Sequence, residues 1–289
     1  MIEQDVLRRF LFTELGVRGE WVKLTQSWQA AKQNQIHDQH ALLQLGQALA
    51  AVVMLSASIK YKGSMILQAQ GNGALRTLVA QSTHQRFIRG LIRSNGEVAE
   101  GSLPDMFGQG RLVLTIEPEN TEPYQGIVSL EGNNLAEALE TYFQQSEQLN
   151  TRLWLFADPT QAAGLLLQEL PDQKGFVTDW ERIEMLAGTV TGQEMLTLNC
   201  ESMLHRLFHQ EQVKLFASEP VSFKCSCSKQ RIERTLRILG KAELESILQE
   251  RGAIEVDCEF CGAHFLFDKV DTSLLMSKDT VINESQTRH

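Results

Sequence analysis

Apolar and polar positions change period several times along the chain, and each change marks an element. Val6, Leu7, Phe10 and Leu11 recur at helical spacing and predict a short amphipathic helix, followed by a strand over 17–24. A long, mostly apolar stretch over 38–59 predicts a buried helix. From residue 65 the period shortens. A strand over 65–70 runs into the turn Gly71-Asn72-Gly73, and further strands are predicted over 75–80, 87–92, 112–116 and 124–130. A helix over 134–147 gathers Leu135, Leu139, Tyr142 and Phe143 on one face, and two strands follow over 153–157 and 164–170. Strands in runs with helices at the ends predict an α+β domain over 1–175 with a largely antiparallel sheet, rather than regular βαβ alternation.

Beyond it the pattern turns helical. Trp180, Ile183, Leu186, Ala187 and Val190 form one stripe and Met203, Leu204, Leu207 and Phe208 a second. They predict a helical linker over 176–220 whose stripes each need a surface to bury against. Over 221–289 the pattern becomes compact. Val221, Phe223 and Cys225 alternate as in a strand. Ile232, Leu236 and Leu239 mark a short helix closed by Gly240, and Leu244, Ile247 and Leu248 another ended by Gly252. Ile254-Glu255-Val256 then leads through a cysteine-bearing turn to a return strand carrying Phe265 and Phe267.

The 289 residues are 43% hydrophobic and 22% charged, which excludes a disordered chain. Against 36 Asp and Glu stand 27 Lys and Arg, a net charge of −9, which weighs against a partner bound mainly through phosphates. The most apolar run, 48–59, contains Ser56 and Ser58 and is shorter than the ~20 residues of a membrane span. The N-terminus, with Glu3 and Asp5 ahead of Arg8 and Arg9, carries no secretory signal pattern, so a cytoplasmic location, where thiols stay reduced, is expected.

Cysteine usage changes the picture most. Cys200 stands alone, whereas Cys225, Cys227, Cys258 and Cys261 crowd the end of the chain as Cys-x-Cys and Cys-x-x-Cys, with the stretch 228–257 between the two pairs. Two close pairs joined by a long loop suit a tetrahedral Zn²⁺ site of four thiolates, and Gly262 suits the turn that aims backbone N–H groups at the sulfurs. Structural disulfides conflict with a reduced cytosol. A thioredoxin-like pair expects its Cys-x-x-Cys at a helix start in a βαβ unit. A module this small buries little core, so a metal here would contribute on the order of 10–16 kcal/mol of binding energy that is also folding energy. Thiolate ligands are open to peroxide, and an oxidised sulfur no longer ligates, so such a centre can act as a switch; a permanently reduced zinc knuckle is the commoner use.

With these motifs in view, the chain resembles the heat-shock protein 33 (33-kDa chaperonin) family of redox-regulated bacterial chaperones over nearly its full length. The resemblance rests on Val17-Arg18-Gly19-Glu20, Gln70-Gly71-Asn72-Gly73, Tyr124-Gln125-Gly126-Ile127-Val128 and Tyr142-Phe143 with Ser146-Glu147-Gln148-Leu149. It rests above all on Phe223-Lys224-Cys225-Ser226-Cys227 with Cys258-Glu259-Phe260-Cys261-Gly262. Asn150 stands where a proline is usual, and Gln230 where Glu is expected. The resemblance implies a protein that is inactive while reduced, with one Zn²⁺ per chain on Cys225, Cys227, Cys258 and Cys261. It implies disulfides Cys225–Cys227 and Cys258–Cys261 under oxidative stress, loss of zinc, unfolding of the C-terminal module and loosening of the linker. The activated form would be an ATP-independent holdase, associated with a homodimer, that holds unfolding client proteins and passes them to ATP-dependent refolding chaperones. Trp180, Ile183 and Leu186 are the linker candidates for client contact, with simple packing on the first domain as the plain alternative.

No Gly-x4-Gly-Lys-Ser/Thr loop, dinucleotide fingerprint or His-Glu-x-x-His occurs, and no enzyme activity is expected. Cys200 reads as a bystander without a nearby resolving thiol, and His264 as a surface neighbour of the cysteine site rather than a ligand. His205 and His209 share a helix face that suits a metal, but without carboxylates of matching spacing they read as a solvated pair. A zinc-ribbon nucleic-acid adaptor is the alternative function; the acidic charge and lack of interleaved basic and aromatic residues weigh against it. A thiol-disulfide oxidoreductase is a third reading, separable by an insulin-reduction assay.

Overall fold

Residues 3–35, 37–170 and 177–275 are described by the computed structural model. The chain divides into two compact units, Met1–Lys224 and Cys225–His289. The expected domain boundary at 175/176 and the tail beyond 275 lie outside the described residues.

The first element corrects an expectation. Val6, Leu7, Phe10 and Leu11 belong to a strand, β1 (Val6–Phe12), antiparallel to β2 (Val17–Leu24). Leu7 packs into one hydrophobic cluster and Phe10 and Phe12 into another. A strand buried on both faces shows no clean alternation, which is why its apolar spacing imitates a helix. Two helices follow, α1 (Gln26–Lys32), which the apolar pattern did not mark, and α2 (Gln39–Ala57). Next come the strands β3 (Gly63–Gly71), β4 (Leu75–Thr83) and β5 (Phe87–Ser94), a short helix α3 (Leu103–Phe107), then β6 (Gly110–Pro118) and β7 (Tyr124–Ser129). α4 (Leu135–Tyr142) is capped by the Asn134 side chain, which accepts the Glu137 N–H at 3.0 Å, and runs into a π-helical turn, Phe143–Glu147. β8 (Thr151–Ala157) and β9 (Ala162–Glu169) close the strand-rich part.

Two six-stranded sheets result where one was expected. One has the order β10-β1-β2-β9-β8 with β11 also on β1, the other β12-β5-β4-β3-β6-β7, where β10 (Val213–Leu215), β11 (Glu219–Pro220) and β12 (Ser222–Phe223) are short. Among the described residues all pairings in these sheets are antiparallel except β12 with β5. α2 packs against strands of both sheets and buries 13 of its 19 residues, so its length and apolar character serve a core rather than a membrane. Gly19 shows how tightly the strands pack: a Cβ there would collide with the Phe10 ring.

The second face of the first sheet is covered by the helices expected as a linker: α5 (Val177–Ala187), α6 (Gly192–Thr197) and α7 (Cys200–Phe208). Trp180, Ile183 and Ala187 join Phe10, Phe12, Trp21 and Leu165 in one cluster. β9 is therefore apolar on both faces, Leu166 toward α2 and Leu165 and Leu167 toward the helices. Polar locks reinforce the contact. The fully buried Lys23 donates to the Leu198 carbonyl at the end of α6 (2.7 Å), and Arg152 on β8 bridges Glu184 of α5 (2.5 Å) and Glu140 of α4 (2.8 Å).

The strand read from Val221 belongs to the first unit, not to the C-terminal module. Val221 is buried in the first unit's core and Ser222–Phe223 pairs with β5, so compactness breaks after Lys224. The second unit holds α8 (Lys229–Leu239), α9 (Lys241–Arg251), the hairpin β13 (Ile254–Asp257) and β14 (His264–Phe267), and a helical stretch over 269–275 that the sequence pattern did not mark. Among the described residues its buried cluster is small: Leu236, Leu244, Leu248, Ile254, Phe267 and Leu275.

Candidate metal centre

Two local structures present the four clustered cysteines. Cys225 and Cys227 lie on the extended segment before α8, whose N-cap Ser228 accepts the Arg231 N–H at 3.2 Å, while the Arg231 guanidinium donates to Ser226 Oγ at 2.7 Å. Cys258 and Cys261 flank the turn between β13 and β14. There the Cys258 N–H donates to the Ala263 carbonyl (2.9 Å), and the Gly262 N–H donates to the Cys258 carbonyl (2.7 Å). Gly262 has φ 68°, a left-handed backbone that glycine adopts without steric cost. The Ala263 N–H is thereby turned to hydrogen-bond the Cys261 sulfur.

The four sulfurs lie within 4.8 Å of one another, all half-buried and none in a disulfide. The shortest approaches cross between the halves, Cys225 Sγ to Cys258 Sγ at 3.6 Å and Cys227 Sγ to Cys261 Sγ at 3.4 Å. Four thiolates at ~2.3 Å from a central ion stand about 3.8 Å apart in a tetrahedron, so this cluster has the size of a tetrahedral sulfur cage. Its electrostatics fit the same use. Burial raises the Cys225 thiol, but hydrogen bonds from the Cys227 N–H and from the Cys227, Cys261 and Cys258 thiols outweigh burial and bring it down to about 7. Burial, then the neighbouring sulfurs, push Cys227 up, and burial raises Cys261 against the Ala263 N–H. A doubly charged cation at the centre of the cluster would favour the ionised form of the surrounding sulfurs. The donor set fits Zn²⁺.

The remaining sequence candidates stand apart from this cluster. His264 is exposed and its Nδ1 lies 2.7 Å from Asp257 Oδ1, a contact that raises its pKa. Cys200 is the first residue of α7 and is buried in the cluster between the helices and the first sheet; its N–H donates to Glu3 Oε2 at 2.9 Å, and burial followed by the Glu3 charge pushes its thiol up. Trp180 and Ile183 are buried and Leu186 half-buried against the first sheet. Neither departure from the family pattern disturbs the centre. Gln230 is exposed on the first turn of α8, and Asn150 donates to Glu169 at 2.8 Å where a proline would only have bent the chain. Sequence reasoning missed the Arg152 bridge and the buried Glu20, because nothing local to either residue signals a partner from another element.

Fold and site together define a class: a two-unit α+β protein with two antiparallel-rich sheets and a four-cysteine cage on the smaller unit. A family model described as Hsp33 protein matches residues 5–268. A 33 kDa chaperonin of Nitrosococcus oceani is 59% identical over 291 residues, covering the whole of both chains. One from Shewanella sp. (strain ANA-3) is 43% identical over 284 residues, covering 98% of this chain and 99% of the relative. The crystal structure of the 33 kDa chaperonin (heat shock protein 33 homolog) of Thermotoga maritima superposes with a TM-score of 0.82 at 23% identity, over 96% of this chain and 99% of that one, so the fold is shared. The chain belongs to the Hsp33 family.

Proposed function

We propose that this protein is a redox-regulated, ATP-independent holdase. The observation that carries the reading is the convergence of four sulfurs, from two segments well separated along the chain, on a unit whose described residues bury only six apolar side chains. The chaperonin names of its full-length relatives support it. Three functional regions are assigned. Residues 1–175 serve client binding and dimerisation, 176–224 the linker, and 225–289 the redox switch.

When reduced, Cys225, Cys227, Cys258 and Cys261 hold one Zn²⁺, which cross-links the two halves of the second unit and keeps the sulfurs in place. Peroxide takes two electrons from each pair, forming Cys225–Cys227 and Cys258–Cys261 while each peroxide leaves as two waters. Disulfide sulfurs are poor ligands, so the cage opens and the small core loses its cross-link. β11 and β12, which lead from the helices into Cys225, then lose a folded neighbour along the chain. Loosening of α5 uncovers Trp180, Ile183 and Leu186 together with Phe10, Phe12 and Trp21, an apolar surface for unfolding clients. Activation is accompanied by homodimerisation, and clients pass to ATP-dependent refolding chaperones.

The test is a count of thiols and zinc before and after peroxide at mildly raised temperature, run beside a client-aggregation assay. The expected result is release of one zinc, loss of four thiols and suppression of aggregation by the oxidised protein only. Zinc loss with no gain in suppression would overturn the proposal.

A further inference from the structure

Two imidazoles share one face of α7. His205 and His209 are both exposed, with ring centroids 6.0 Å apart and ring planes inclined by 38°. A separation of four residues stacks side chains one turn apart, the spacing with which two histidines of one helix grip a single ion. Both rings stand at the rim of a hollow of about 260 Å³ that Glu201, Glu211, Phe208 and Leu215 also line. The sequence reading credited the pair with no suitable carboxylates. The structure brings Glu201, one turn before His205 on α7, and Glu211, just after the helix, to the lining of the same hollow, but among the described residues neither makes a three-ligand group with the two rings. Glu211 is ion-paired with Arg182, and Glu201 lies 3.8 Å from Arg8. Both therefore contribute negative charge to the rim while keeping a cationic partner of their own. His209 is also the C-cap of α7, at the helix end whose carbonyls favour a cation.

We propose that His205 and His209 form a second metal site, a two-imidazole clamp for a borderline-soft divalent cation such as Zn²⁺, Ni²⁺ or Cu²⁺, with water completing the coordination. Imidazole is the commonest side-chain ligand for these ions, and the order of affinity should follow Cu²⁺ above Ni²⁺, with Zn²⁺ below Cu²⁺. The site differs from the cysteine cage in one chemical respect. Peroxide converts thiolates to disulfides but leaves imidazole nitrogens able to ligate, so the clamp keeps its capacity under conditions that open the cage. That contrast rests on the redox reading above; the clamp itself does not.

The test uses the full-length reduced chain dialysed against excess Zn²⁺. Two zinc ions per chain are expected, falling to one in His205→Ala and in His209→Ala, exposed positions whose replacement leaves the circular dichroism unchanged. Added to the zinc-loaded protein, Ni²⁺ should broaden the ring signals of His205 and His209 before those of the other histidines. After peroxide one zinc should remain, and the His205→Ala chain should then hold none. Equal stoichiometry in wild type and both alanine variants, or Ni²⁺ broadening centred elsewhere, overturns the clamp. A wild-type count of one that falls to zero in His205→Ala sustains the clamp and overturns only the zinc assignment of the cysteine cage.

Discussion

At Cys200, burial at the start of α7 and the nearby Glu3 carboxylate push the thiol above its ordinary range, whereas hydrogen bonds around Cys225 bring that thiol down to about 7. The thiolate is the reactive species, so position alone separates two chemically identical side chains. In the reduced, metal-free protein near pH 8, a time course with iodoacetamide read by mass spectrometry should show the four clustered cysteines modified before the buried Cys200. Glu20, on β2, is fully buried, and one of its oxygens has no hydrogen-bond partner. Burial lifts its carboxyl to about 7 from an ordinary 4.5, against the pull of Arg18, Arg9 and Arg86. The folded state therefore holds a proton that the unfolded chain has already lost between these values. Stability from this group is complete below the unfolded value and is lost as pH rises through the folded one. Glu20→Gln removes the dependence. Thermal denaturation should find the variant level with wild type below pH about 4.5 and more stable near pH 8 by roughly 3 kcal/mol.

At the scale of elements, the contact between α5 and the first sheet decides whether apolar surface is hidden. Ile183 is fully buried there, and large-to-small replacement at such sites costs about 2–5 kcal/mol. Ile183→Ala should loosen α5 in the reduced protein, seen as faster proteolysis within 177–208 and binding of an apolar dye without oxidant. Arg152→Ala acts through partly exposed ion pairs and should have a smaller effect, of about 1 kcal/mol or less. Element type was legible where burial was one-sided. β3 and β7 alternate cleanly, and the single apolar stripe of α4 marked it as a helix. It was illegible at β1, where both faces are covered, and at α1 and α3, whose 7 and 5 residues are too short to establish a period.

Over the whole molecule the two units differ in what holds them together. Among the described residues, the first has two six-stranded sheets and two extensive apolar clusters; the second has one two-stranded hairpin and a cluster of six buried residues. A strong chelator added to reduced, zinc-loaded protein should therefore abolish one calorimetric transition and leave the other. Limited proteolysis should cut first within 225–275 and leave the sheets of the first unit intact. Survival of both transitions in metal-free protein would show that the second unit folds without its cross-link.

The order of amino acids already determined the chemistry of the four-cysteine cluster. Sulfur donors, their close pairing as Cys-x-Cys and Cys-x-x-Cys, and a glycine able to turn backwards are local properties, and local properties are written in sequence. Only the tertiary structure decided that cysteines on either side of the stretch 228–257 meet within 4.8 Å, that Trp180 and Ile183 lie buried on a sheet, and that Val221 joins the first unit's core rather than the second. These are encounters between distant segments, chosen by which apolar faces exclude water together, and no short stretch of chain carries that information.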